Sequence, residues 1–386
     1  MEIKHHRKVL LVANTGWNLY NFRLPLARFL RNRGIEVVLV SPKDAYVEKL
    51  QAEGFRWIEL WLSRRSINPF VELFTISHLT WIYVREKPSA VHHFTIKCVL
   101  IGTVAAKISG IKAVLNAITG LGYIFNSSGF KAKLLKPIIM FLFKLILTAR
   151  RVQVVFQNMD DLNFFVQEKL IIPQRTVLIR SSGIDLNRFS PSSTHLKPSS
   201  HPVVLFASRL LTEKGIIEYV QAAYILKNRG INATFQIIGA PDPGNPSSIP
   251  QTVLSQWQKD KIVDIKGHVD NIENFIALST IVVLPSHGGE GVPRILLEAG
   301  AMEKPLVATD VSGCREVVDH GKNGFLVPVK DAVELANAIE VLLQDSALCK
   351  AMGKAARKKV LREFDVRDVI RNTAKAYNVI GVAIER

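Results

Sequence analysis

The chain has 386 residues, 48% of them hydrophobic and 22% charged, a composition that suits a globular protein of two domains of roughly 150–200 residues rather than one core. Its net charge of +17 is unevenly placed: residues 1–190 hold 27 Lys/Arg against 12 Asp/Glu, and no acidic residue occurs between Glu86 and Asp160. No run approaches the ~18 uninterrupted apolar residues of a spanning helix, and three scattered cysteines (Cys98, Cys314, Cys349) fit neither a disulfide framework nor a zinc cluster.

The basic start leads into a short apolar run, Lys8–Ala13, with no small-residue cleavage site. No secretory signal is expected, and the cytoplasm is the expected compartment. Aliphatic runs then alternate with helical patterns: Val9–Val12, Val37–Val40, Ala90–Phe94, Ala113–Ile118 and Val152–Phe156. A Ser/Pro-rich stretch, Ser190–Pro202, interrupts the series. It resumes at Val203–Ala207, Thr234–Ile238, Ile262–Ile265, Ile281–Leu284, Leu306–Ala308 and Phe325–Val327, and the chain closes in helices from about Leu335. Near-continuous aliphatic strands separated by helices predict parallel sheets covered on both faces. The expected division is a first domain over 1–190, a linker over 191–202, a second domain over 203–365 and a final helix over 366–386. Ligands of such sheets bind at the carboxyl ends of strands, here in a cleft between the domains.

Candidate residues follow from those strand ends. The first βα loop, Asn14–Arg23, carries Gly16, where a close backbone approach to a reacting centre is expected. His92-His93-Phe94-Thr95-Ile96-Lys97 and Ile118-Thr119-Gly120-Leu121-Gly122-Tyr123 end two further strands, so Gly122 joins the candidates. A histidine at a strand end is commonly structural. Of the two, His93 is the candidate for a catalytic or sugar-contacting role, because alternation places it on the face of Val91. In Lys131–Arg151, K-A-K-L-L-K-P-I-I-M-F-L-F-K-L-I-L-T-A-R-R, six cations and no acid surround a dense apolar body. Lys136, Pro137 and Lys144 interrupt it too soon for spanning, and an interfacial helix against anionic headgroups is expected, rather than a core helix with solvated lysines.

In the second half, Ser208-Arg209-Leu210-Leu211-Thr212-Glu213-Lys214-Gly215 follows a strand directly and opens a helix. Arg209 and Lys214 are placed there to hold a diphosphate, one by a bidentate fork and one as a point charge. After the strand Ile281–Leu284 comes His287-Gly288-Gly289-Glu290-Gly291-Val292, then Pro293 at a helix start that leaves backbone amides free for a phosphate. Glu290 and Glu298 lie eight positions apart across that junction.

The stretch Val283–Pro328, with these two glutamates, resembles the glutamate-x7-glutamate signature of family 4 retaining glycosyltransferases, and R-L-x-x-x-K-G at Arg209–Gly215 resembles that family's donor-phosphate motif. The resemblance implies the GT-B fold: two doubly wound Rossmann-like domains facing a cleft, with the last helix crossing back to the first domain. It further implies that Glu290 contacts hydroxyls of the donor sugar and Glu298 the ribose, while Gly267-His268-Val269 offers backbone contacts to the base, which makes Val269 a binding candidate. Thr309–Glu316 is similar to a characteristic turn of the family. The acceptor-side patterns, with Ser63-Arg64-Arg65-Ser66-Ile67-Asn68-Pro69-Phe70, resemble a subgroup acting on undecaprenyl-diphosphate-linked sugars, including N-acetylgalactosaminyltransferases. A UDP-sugar donor, a lipid-linked saccharide acceptor and peripheral attachment to the inner face of the cytoplasmic membrane are the implied partners.

No Asp-x-Asp pair follows a strand, so neither a catalytic metal nor a cofactor is expected, and the cations above supply the charge. A family member with a non-lipid acceptor and a non-hydrolysing UDP-sugar epimerase remain alternatives. Nucleic-acid binding, which the basic half raises, finds no recognition module in the chain.

Overall fold

The computed structural model describes residues 7–64, 66–121, 125, 130–147, 151–192 and 201–384. The chain divides into two compact units, Met1–Gly183 with Val366–Arg386, and Ile184–Asp365. The division falls ahead of the expected boundary at 190, because Ile184 and Phe189 are already buried in the core of the second unit. The final helix, Val366–Val379, belongs to the first unit.

The first unit holds β1 (Lys8–Val12), β2 (Glu36–Ser41), β3 (Arg56–Glu59), β4 (Ala90–Phe94), β5 (Val114–Ile118), β6 (Val152–Phe156) and β7 (Thr176–Leu178). Among the described residues they form one sheet in the order β3-β2-β1-β4-β5-β6-β7, every pairing parallel. Alternation along β1 shows why both faces need cover. Val9 and Leu11 enter a core shared with the helix Leu24–Asn32 and the final helix. Leu10 and Val12 enter a second core, under the helices Pro69–Glu86, Ile96–Ile108 and Phe130–Ile146.

The second unit holds β8 (Val203–Ala207), β9 (Thr234–Ile238), β10 (Asp264–Ile265), β11 (Ile281–Leu284), β12 (Leu306–Thr309) and β13 (Gly324–Val327), in the parallel order β10-β9-β8-β11-β12-β13. Both units are therefore doubly wound Rossmann-like domains. In each the strand order reverses beside the first strand, between β1 and β4 and between β8 and β11. Chain leaving the carboxyl ends of neighbouring strands there diverges to opposite faces and opens a crevice.

Two strands escape the aliphatic pattern. β3 reads Arg-Trp-Ile-Glu and β7 Thr-Val-Leu, and both are sheet edges whose side chains stay partly exposed. An edge strand has one solvated side and needs no continuous apolar run. The segment after β1 is likewise more regular than a loop: Gly16–Asn18 is helical and Leu19–Arg23 forms a π-helical turn before Leu24–Asn32.

Candidate active site

The second sheet's reversal brings two loops together, one leaving β8 (208–215) and one leaving β11 (285–293). Their approach depends on glycine. Gly215 has φ +75°, and a Cβ there would lie 1.9 Å from the carbonyl oxygen of Pro285. Gly239, at φ +143°, presses on Ser208 O in the same way, at 1.8 Å. A side chain at either position would push the β8 loop off its support.

Across this contact the Lys214 ammonium pairs with Glu290 Oε1. The Ser286 hydroxyl lies 3.2 Å from Glu213 O and 3.5 Å from the same Glu290 oxygen. Thr309 Oγ1 in turn donates to Ser286 O, tying the loop to the end of β12. Gly288 and Gly289 take φ +118° and +77°, a path open to glycine and strained for other residues. Gly313 backs onto Gly291 and Glu290, where a Cβ would meet their carbonyl oxygens at 2.7 and 2.8 Å. Thr309–Glu316 thus acts as a wall behind the glycine-rich loop.

His287 turns toward the helix Ile216–Asn228, with Nε2 3.0 Å from Glu218 Oε1. Burial pulls the Glu218 carboxyl upward, but the bond to His287, a backbone hydrogen bond and the charges of His287 and Lys330 together outweigh it, and the net shift is downward. Pro293 caps the helix Arg294–Ala301, one position ahead of its first residue. Glu298 is buried one turn on and accepts from Arg294 Nε at 2.7 Å. Burial holds Glu298 above the usual carboxylate range, and the Arg294 charge only partly offsets this. Arg209 pairs with Asp242 at 2.9 Å, its side chain half exposed. Val269 is partly buried behind β10, and Gly267 O accepts from Gly239 N at 2.8 Å.

In the first unit the expectation for His93 needs correction. His93 does share the face of Val91, but that face is packed against helices. The residue is fully buried, with Nε2 2.7 Å from Tyr83 OH and Nδ1 2.7 Å from Asn116 Oδ1. Both ring nitrogens are occupied, and Gly102 leaves no space above the ring. His93 is a core histidine and cannot reach a substrate. His92 points to the opposite face, where Nδ1 lies 2.9 Å from Tyr377 OH of the final helix. Gly16 makes a close approach, but to Asp44: a Cβ there would meet Asp44 Oδ1 at 2.4 Å, and Asp44 Oδ2 accepts from Trp17 N at 2.9 Å. Gly122 lies outside the described residues, as do 148–150 of the basic helical segment.

Sequence reasoning missed Ser286, Glu218, Asp242, Arg294 and Asp44. Glu218, Asp242 and Asp44 become visible only through contacts the fold creates, whereas Arg294 and Ser286 each lie four residues ahead of a partner, Glu298 and Glu290. It also missed Thr95, whose φ of +76° at the end of β4 is far outside the usual range of a β-branched residue. Thr95 precedes Lys97, whose ammonium binds Ser66 O at 2.9 Å and Glu72 at 2.7 Å and so ties Ser66 to the helix Pro69–Glu86.

Comparison with known proteins accounts for this arrangement. Residues 8–158 match the model described as glycosyl transferase 4-like, and residues 190–359 that of the glycosyl transferases group 1. The chain is 29% identical over 381 residues to the N,N'-diacetylbacillosaminyl-diphospho-undecaprenol alpha-1,3-N-acetylgalactosaminyltransferase of Campylobacter jejuni, covering 96% of this chain and 98% of that protein. It is 26% identical to the capsular polysaccharide biosynthesis glycosyltransferase CapM of Staphylococcus aureus, over 92% of this chain and 94% of that one. Among solved structures, Anabaena HepE in complex with UDP and glucose superimposes with a TM-score of 0.77 at 19% identity, over 96% of this chain and 99% of that one. The fold is GT-B, and the chain joins a first domain of the glycosyl transferase 4-like kind to a second domain of the glycosyl transferases group 1.

Proposed function

We propose that this glycosyltransferase moves a hexose or N-acetylhexosamine from a UDP-sugar to an undecaprenyl-diphosphate-linked saccharide, with retention of anomeric configuration, in the assembly of a bacterial surface or protein glycan. The observation that carries the reading is the meeting of Lys214 and Glu290 over a glycine-lined loop at the reversal of the second sheet. The similarity to the Campylobacter enzyme over nearly the whole of both chains supports the acceptor class. An Escherichia coli relative, 25% identical over 78% of this chain, is named as a UDP-Gal:alpha-D-GlcNAc-diphosphoundecaprenol alpha-1,3-galactosyltransferase.

In this reading the diphosphate lies between Lys214 and the amides that open the helix Arg294–Ala301, and Arg209 leaves Asp242 to reach it. Cations fixed before the reaction stabilise the departing UDP as its charge develops, the term that dominates most enzymatic rate enhancements. Glu290, released from Lys214 by the phosphate, accepts from sugar hydroxyls. Glu298, positioned by Arg294, accepts from the ribose, and His287 with Gly288–Val292 lines the sugar side. Val269 backs the base. No carboxylate is assigned the part of covalent nucleophile, and attack from the face of the leaving group gives retention.

The first domain takes the acceptor and rests on the inner face of the cytoplasmic membrane through Lys131–Arg151. In support, Phe143 and Ile146 of the helix Phe130–Ile146 are buried, while Ile138, Phe141, Leu142 and Leu145 are exposed. Among the described residues no helix is long and apolar enough to cross a membrane.

The test is turnover of a panel of UDP-sugars by the purified chain with an undecaprenyl-diphosphate-linked amino sugar, beside Glu290→Ala. Lipid-linked disaccharide formed by the wild type and lost in the variant is the expected result. Donor binding with transfer only to water-soluble saccharides would replace the acceptor class, and no binding of any nucleotide sugar would overturn the reading.

A further inference from the structure

The helix Pro69–Glu86 is apolar on both sides, yet only one side is covered. Thr75, Leu79, Ile82, Tyr83 and Glu86 face the sheet. Phe70, Leu73, Phe74, Trp81 and Val84, spaced three, four and seven apart along one stripe, are each more than half exposed, and Phe70 is 80% exposed. A surface helix ordinarily turns charge outward, and one that is apolar all round is buried in protein or in lipid. The stripe is also organised. Trp61 stacks on Phe74 with centroids 5.5 Å apart and planes 7° apart, and on His78 at 4.5 Å. His78 continues to Trp81 at 6.0 Å, and the Arg85 guanidinium sits 5.2 Å from the Trp81 ring. Burial lowers the His78 pKa, and the Glu59 charge only partly opposes it.

The surroundings indicate the occupant. Ile96–Ile108 packs between this helix and Phe130–Ile146, so the outer sides of all three lie over one face of the sheet. Ile96–Ile108 and Phe130–Ile146 carry cations and no acidic residue, and Glu72 of Pro69–Glu86 is neutralised by Lys97 at 2.7 Å. A second copy of the chain would bring the same positive charge to the contact. An anionic lipid surface complements it, and tryptophan with arginine beside it is the composition of a membrane interface.

We propose that the exposed aromatic stripe Trp61–Phe70–Phe74–Trp81 is a second membrane-docking element that inserts into the headgroup region of an anionic phospholipid bilayer alongside Phe130–Ile146. The inference rests on the reading that the first domain works at a membrane, and it assigns the apolar part of the binding to Pro69–Glu86. The two helices then act together: one weak anchor binds reversibly, and two on one rigid unit bind as a product of their partition coefficients.

The test is sedimentation of the full chain with vesicles of phosphatidylcholine containing about 30% phosphatidylglycerol, comparing wild type with Phe70→Ser/Leu73→Ser/Trp81→Ser. Binding is expected to fall about tenfold or more in the variant, with nucleotide-sugar binding and the melting transition unchanged. Phe70→Ser alone, at the most exposed position, gives the same direction of change should the triple variant fold poorly. Brominated phospholipid should quench tryptophan emission in the wild type and less so in the variant. The proposal is overturned if wild type does not sediment with these vesicles, or if variant and wild type sediment alike. It is also overturned if wild type is a dimer that the variant dissolves without loss of vesicle binding, which would make the stripe a self-interface. Transfer to a short-chain, water-soluble lipid analogue separates the two readings: its absence in the wild type defeats the transferase assignment and leaves the vesicle result standing.

Discussion

Acid should weaken the first unit through His93, and the structure sets the size of the effect. Asn116 Oδ1 can only accept, so Nδ1 carries the proton and Nε2 accepts from the Tyr83 hydroxyl. Protonating Nε2 would bury a charge in a fully enclosed site and force the Tyr83 hydroxyl to turn its proton away. Burial accordingly lowers the His93 pKa from 6.5 to about 4, with the Asn116 bond opposing it. Above pH 6.5 neither the folded nor the unfolded chain binds this proton and the full stability is present. Below 6.5 the unfolded chain takes it up and the folded one does not, so stability falls with pH until about pH 4. The loss is about 2 kcal/mol at pH 5 and about 3 kcal/mol at pH 4 for this group alone. Hydrogen exchange on the amides of Ala90–Phe94 reads the stability of this sheet locally, independently of the second unit. Measured between pH 7 and 4 in wild type and His93→Gln, the wild-type curve should be steeper by nearly one proton. His92 is present in both proteins and is lowered first by burial and then by Arg23, with His93 the smallest cause, so the difference reports chiefly on His93. Parallel curves would refute the argument.

The second unit offers sharper steric and functional tests. Gly215→Ala adds strain at φ +75° to a Cβ placed 1.9 Å from a backbone carbonyl and should cost about 3 kcal/mol in denaturant unfolding. Gly230→Ala, with φ +78° and nothing within 4 Å, should cost only about 1 kcal/mol, and equal losses would show that loop contact is not what requires Gly215. Glu298→Gln should weaken UDP binding about tenfold by titration calorimetry, and unchanged affinity would remove it from the ribose site. Glu218→Gln should raise the KM for donor several-fold and His287→Ala should do the same, with the double variant no worse than either. Additive losses would mean that Glu218 does not act through His287.

Most of the fold was legible because a doubly wound sheet writes its interior strands as aliphatic runs. What was lost lies where that rule relaxes. β3 and β7 have a solvated edge and mixed sequences, and the turn at Leu19–Arg23 is helical where its asparagines and aromatics suggested a loop. His93 shows a different failure. Alternation assigned it to the correct face, but periodicity carries no information on whether a face meets solvent or a helix. Only the packing of Pro69–Glu86 and Ile96–Ile108 over β4 decides that.

The candidates of the second unit left a clearer local signature than those of the first for a reason rooted in how each is built. Arg209, Lys214, Glu290 and Glu298 sit next to glycines and a proline that the backbone path itself requires, so the local sequence records their geometry. Asp242 and Glu218 act through partners 33 and 69 positions away and leave no local mark. The Lys214–Glu290 pair joins both kinds. Its members are 76 positions apart, and they meet only because β8 and β11 are neighbours at the point where strand order reverses. Any shift of β11 away from β8 would separate the charges while leaving every local motif intact. The site is thus a property of the sheet's topology, and Gly215, pressed against Pro285, is the residue through which that topology holds the two loops in contact.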